Sequence, residues 1–192
     1  MKLTTFARVR QLSGWQAVAF GATLLERSLP NYQLFCELTG FADPAQYRNT
    51  LDAIWDWLAN PKAKINLAVQ LEKTELAIPD AADFDSYGVY PAIDVGMSLA
   101  SLILLMMDED PQGAVVISKL SQGSVEAYID ATNESELSAD EVKSHPLMQW
   151  EIEFQQALLD RIDNASRTKE SIRALRQMAT EEGITNIGLE IS

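Results

Sequence analysis

The stretch Ile78–Met107, IPDAADFDSYGVYPAIDVGMSLASLILLMM, decides how the rest of the chain is read. Its first half is an acidic loop carrying aromatic residues: Asp80, Asp83, Asp85, Tyr87 and Tyr90. Its second half is the most apolar run in the sequence. From Leu99 to Met107 only Ser101 is not plainly apolar, so a helix there must be covered on nearly every side. It does not read as a membrane span. Ala92–Met107 is sixteen residues, contains Asp94, and is flanked by acids rather than Lys or Arg, whereas a crossing needs about 20 apolar residues. The reading is a buried core helix near 90–107, with the remaining helices packed around it and no membrane partner.

Working outward, the helical period dominates. Residues 3–12 form a short amphipathic pattern. Ser13 is placed to cap a second helix with the stripe Trp15, Val18, Ala22, Leu25, Leu29. Pro30 is expected to stop that helix and open the next, PNYQLFCELTG, which Gly40 ends. Asp43-Pro44 opens a helix with Tyr47, Leu51, Ile54, Trp55 and Leu58 on one face, closed by Asn60-Pro61. A weaker helical pattern covers 62–77, and another covers 111–132, where Ser118, Ser121, Gly123 and Ser124 are small enough for close approach to a neighbour. Ser138 and Glu141 form a capping box.

Pro146 begins the longest helical pattern, which runs to about Glu182. Unbroken, it would be about 55 Å long, against roughly 40 Å across for a compact chain of this size. It therefore either bends or breaks around Asp163–Lys169, or projects and packs on a second subunit; the expectation favours a homodimer formed through this long C-terminal helix near 146–182. The fold class is all-α: a single domain over residues 1–192, with about seven or eight helices.

Composition narrows the function classes. The net charge of −13 is concentrated in residues 79–162, which hold three Lys/Arg and sixteen Asp/Glu. Such a face repels nucleic acid and anionic lipid, and leaves a protein partner on the acidic face as the expected contact. The lone cysteine, Cys36, cannot form an internal disulfide, and the N-terminal stretch lacks a signal-peptide core, so a cytoplasmic location is expected.

No motif implies a reaction. A Gly-rich phosphate loop is absent, no cofactor is implied, and the single histidine, His145, precedes Pro146 as a surface turn residue. Asp83, Asp85, Gly88 and Asp94 match part of a calcium-loop spacing, but Tyr87 in the fifth place, Asp94 in place of a closing Glu, and Pro91 inside the loop argue against a metal. The candidate ligand-binding set is Asp83, Asp85, Tyr87, Tyr90 and Asp94, with Glu72 and Lys73 from the preceding helix end. Asp94 is the residue that packing does not account for. One turn into an apolar helix it needs a partner or solvent, and Arg27, Arg48 and Lys73 are the candidate partners.

The stretches ERSLPNYQLFCELTGF (26–41), YRNTLDAIWDWL (47–58), KINLAVQLEKTELAIP (64–79), DFDSYGVYPAID (83–94) and TNIGLEI (185–191) resemble the bacterial YjaG family, domain of unknown function 416. The resemblance covers nearly the whole chain. It implies an all-helical cytoplasmic bacterial protein and brings no catalytic residues with it. Two function classes follow: a non-enzymatic interaction or regulatory protein with an acidic face, which leads, and a small-molecule-binding protein or enzyme with its site at loop 80–94.

Overall fold

The computed structural model describes residues 3–191. Among them the chain forms nine α-helices: α1 (Thr5–Arg10), α2 (Gly14–Thr39), α3 (Ala45–Ala59), α4 (Leu67–Leu76), α5 (Val89–Met106), α6 (Gly113–Thr132), α7 (Ala139–Ser144), α8 (Pro146–Asp163) and α9 (Lys169–Thr180). A 3-10 turn, Ala81–Asp83, lies between α4 and α5. The only extended pairing among these residues is a single bridge, Ile184 with Glu190, in the C-terminal tail. The all-α reading holds.

The apolar run is helix α5, packed against α2, α4 and α6. By length and composition α5 could cross a membrane, but here its Val95, Leu99, Leu102 and Ile103 are core residues. It shares the centre with α2, which also touches α3, α6, α8 and α9. A smaller apolar cluster of Val125, Ile129, Val142 and Met148 joins α6, α7 and α8.

Two helix boundaries differ from expectation. Pro30 does not stop a helix, because α2 runs through it to Thr39, where Gly40 ends it in the left-handed region (φ 70°). The missing N–H of a mid-helix proline costs roughly 3 kcal/mol. Here Leu24, Leu25 and Leu29 before it and Tyr32, Phe35 and Cys36 after it are all buried in one core, so packing on both sides of the proline outweighs the loss.

The pattern at 146–182 is also two helices rather than one. The Asn164 side-chain amide donates to the Asp160 carbonyl (2.8 Å), closing α8. The Thr168 hydroxyl accepts from the Ser171 N–H (3.1 Å), opening α9. Between them Arg167 donates to the Leu58 and Trp57 carbonyls (3.0 and 2.8 Å) and stacks on the Trp57 ring, fixing the break to the end of α3. The polar gap at Thr168-Lys169 was the local sign of this break. No helix in the described chain has the 55 Å span on which the dimer expectation rested.

The α5–α6 crossing is tight at one point. A methyl on Gly113 would stand 2.7 Å from the Ser101 carbonyl oxygen and 2.8 Å from Leu105 Cβ. Backbone cannot yield there as a side-chain tip could. Gly113→Ala is therefore expected to lose about 1–3 kcal/mol of stability, read as a lower urea midpoint; an unchanged midpoint would show that the two helices can separate freely.

Candidate functional site

Helix α5 begins just after Gly88, so Tyr90, Ile93 and Asp94 fall three and four residues apart on one face. On α6, Val116, Lys119, Leu120, Gly123 and Ala127 make the facing wall. Together with Tyr87 these residues enclose an open cleft of about 660 Å³, within the range of small-molecule sites. Gly123 keeps the α6 wall low, with nothing within 4 Å of where its Cβ would be. The lining is apolar apart from the Asp94 carboxylate, the Lys119 ammonium and the tyrosine hydroxyls.

The tyrosines form an aromatic rim. The Tyr87 ring lies 5.8 Å from that of Tyr90 and 6.2 Å from that of Tyr128. Tyr90 is 52% exposed, whereas the Tyr87 hydroxyl is buried and has no hydrogen-bond partner. Burial, reinforced by the negative charge of Asp94, pushes the Tyr87 phenol up to about 12. It remains a neutral donor at any physiological pH.

Asp94 stands at the floor of the cleft. Burial raises its carboxyl to about 6, with the Ser124 hydroxyl acting in the opposite direction. None of the expected cations reaches it. Arg27 pairs with Glu151, both fully buried. Arg48 grips Glu26 through two nitrogens (2.5 and 2.8 Å) and reaches Asp52 (2.8 Å). Lys73 is exposed on α4. Among the described residues Asp94 has no ion-pair partner.

Asp94 also lines a second, smaller space of about 10 Å³, together with residues that include Asn31, Ser98, Leu120, Ser124 and Asn186. It holds about one water-sized group. Asp94 and Leu120 line both spaces.

The structure thus brings together three members of the sequence-derived set, Tyr87, Tyr90 and Asp94, and leaves out four. Asp83 ends the 3-10 turn, and Asp85 is exposed in the loop. Glu72 and Lys73 lie on the exposed side of α4. None of the four lines the cleft. Asp80 caps the turn by accepting from the Ala82 N–H (2.9 Å). No group of three or more His, Cys, Asp or Glu placed to hold a metal ion occurs among the described residues. His145 caps α8 by accepting from the Leu147 N–H (3.1 Å), and Cys36 is a core residue.

The family of proteins of unknown function termed DUF416 matches residues 4–190. The chain belongs to the DUF416 family. The resemblance carried by segments 26–41, 47–58, 64–79, 83–94 and 185–191 thus extends over nearly the whole sequence. The chain is similar to the uncharacterized protein YjaG of Escherichia coli K12, 42% identical over 185 residues (95% of this chain, 94% of that one). It is also similar to an uncharacterized protein of Haemophilus influenzae, 35% identical over 186 residues (95% of each). A crystal structure of a DUF416 family protein from Shewanella baltica OS155 superposes with a TM-score of 0.91 at 37% identity, covering 99% of this chain and 100% of that one. The family brings the fold and no assigned activity, so the site in this DUF416 chain rests on its own geometry.

Sequence reasoning missed the residues that α2, α6 and the tail bring to this place: Asn31, Ser124 and Asn186. The run of small residues on α6 was legible as a close-packing signal. Three of its members instead work as polar groups. The Ser118 hydroxyl donates to Gln155 (2.6 Å) and the Ser121 hydroxyl to Glu151 (2.5 Å), while Ser124 faces Asp94.

Proposed function

We propose that this DUF416 chain is a cytoplasmic small-molecule-binding protein whose α5–α6 cleft takes an amphipathic cation. The ligand's apolar body lies between Tyr87, Tyr90, Ile93 and Leu120, and its charge lies against Asp94. One observation carries the reading: a carboxylate largely withdrawn from water and without an ion-pair partner, in a mostly apolar cleft whose one lysine, Lys119, has its ammonium over the Phe6 ring. A purely structural carboxylate in that position would be expected to have a partner, since burying an unpaired charge is costly. The negative charge of residues 79–162 supports the reading by raising the local concentration of cations. It supports a protein partner on the acidic face less specifically, because exposed carboxylates such as Glu134, Glu136, Asp140 and Glu141 serve solubility equally well.

The test is isothermal titration with n-hexylammonium at pH 7.5. Saturable binding is expected, falling about tenfold by pH 5 as Asp94 takes up its proton. It is expected to disappear in Gly123→Leu, which fills the cleft without meeting any neighbour at Cβ. Unchanged affinity in Gly123→Leu would move the site elsewhere.

A further inference from the structure

The smaller space that Asp94 shares with the cleft contains an acceptor that the chain leaves without a donor. The Asn31 side-chain amide donates to the Asn186 side-chain oxygen (3.0 Å). The Asn186 amide donates in turn to the Ser121 carbonyl (3.3 Å), and the Ser28 hydroxyl to the Leu25 carbonyl (3.4 Å). One N–H of each amide and the Ser28 hydroxyl are thereby committed to chain partners. The lining also carries two acceptors open to a ligand: the Asp94 carboxylate, and the Asn31 Oδ1, which is buried without any donor on a residue only 6% exposed. Leaving a buried acceptor without a donor is costly. A group that satisfies these two acceptors must bring at least two N–H or O–H donors and little bulk, and a positive charge suits the carboxylate.

We propose that this space is the head-group pocket of the cleft and that it selects a primary ammonium. The inference rests on the cleft reading and names its ligand class: a primary amine with a linear or flat apolar body. An R–NH3⁺ group offers three donors and no acceptor. Asp94 and Asn31 Oδ1 take two of these, and a serine oxygen of the lining takes the third. The space of about 10 Å³ admits one such group and no more. A trimethylammonium offers no donor and exceeds the volume. A guanidinium also exceeds it, and a carboxylate would set a second negative charge against Asp94. Asp94, as the wall shared by both spaces, sets where the head group leaves the cleft and enters the pocket.

The experiment compares n-hexylammonium with N,N,N-trimethyl-n-hexylammonium by isothermal titration at pH 7.5, on the wild type, Asn31→Leu and Ser124→Ala. On the wild type the primary ammonium is expected to bind at least about tenfold more tightly. Asn31→Leu is expected to remove most of that preference while leaving the trimethyl probe's affinity unchanged. Ser124→Ala, a smaller change that keeps the fold if Asn31→Leu does not, is expected to reduce the preference severalfold. Equal affinity for the two probes, or tighter binding of the trimethyl probe, overturns the head-group assignment and leaves the cleft as a site. If neither probe binds, both readings fall.

Discussion

Replacing Glu151 with leucine is expected to destabilise the protein by about 3–5 kcal/mol, because it strands a buried guanidinium. Arg27 and Glu151 lie on α2 and α8, at 1% and 0% side-chain exposure. Burial pushes the Arg27 guanidinium down from its ordinary range, and the Glu151 carboxylate pushes it back. Its Nε and one terminal nitrogen are already without hydrogen-bond partners. The faces of Phe154 and Trp150, with ring centres 3.8 and 5.0 Å away, offset part of that deficit. Glu151 also accepts from Ser121 and from the Gln155 amide (2.9 Å), so the substitution frees two further donors. The double variant Arg27→Met/Glu151→Leu should recover most of the loss, since an apolar pair of similar volume removes both charges at once. Urea unfolding of the wild type, both single variants and the double variant measures this. A single variant within about 1 kcal/mol of wild type would mean that water reaches the pair.

Asp94→Asn is expected to act in the opposite direction. The carboxyl is raised from 3.8 to about 6 in the folded chain. For a raised carboxyl the favourable contribution is full below pH about 4, where the group is protonated folded or unfolded. It is lost as pH rises through about 6, where the folded form must carry a buried charge. The shift corresponds to at most about 3 kcal/mol, reduced by the cleft's contact with solvent. Asp94→Asn should therefore be about 1–3 kcal/mol more stable than wild type at pH 8 and equal to it near pH 4. Unfolding midpoints for both proteins at pH 4, 6 and 8 check the convergence, and parallel curves across that range would show Asp94 to be solvated. A carboxylate retained at a cost to stability, in a cleft of ligand size, is the trade expected of a binding residue.

The two halves of the opening stretch differ in how far local sequence reaches. The class of α5 followed from sequence alone, because an apolar run that carries Asp94 and is bounded by acids reads as a core helix, as its buried Val95, Leu99, Leu102 and Ile103 bear out. The same local logic placed the Ser138–Glu141 capping box, the start at Pro146 and the stop at Gly40, since caps involve groups within four residues of one another. Tyr87, Tyr90 and Asp94 were legible as candidates because an uncompensated acid on an oily face is visible in one dimension, and they line one cleft. Packing decided the rest. Pro30 lies within α2 because core contacts on both sides outweigh one lost hydrogen bond. The break after Asp163 is held by Arg167 against the end of α3, more than a hundred residues earlier. Arg27, a candidate for Asp94, pairs with Glu151, 124 positions away, and Asn31 meets Asn186 across 155. Helical period and capping are short-range physics and can be read along the chain. Which buried charge meets which, and which acceptor is left without a donor, depends on how the helices cross, and only the folded chain determines that.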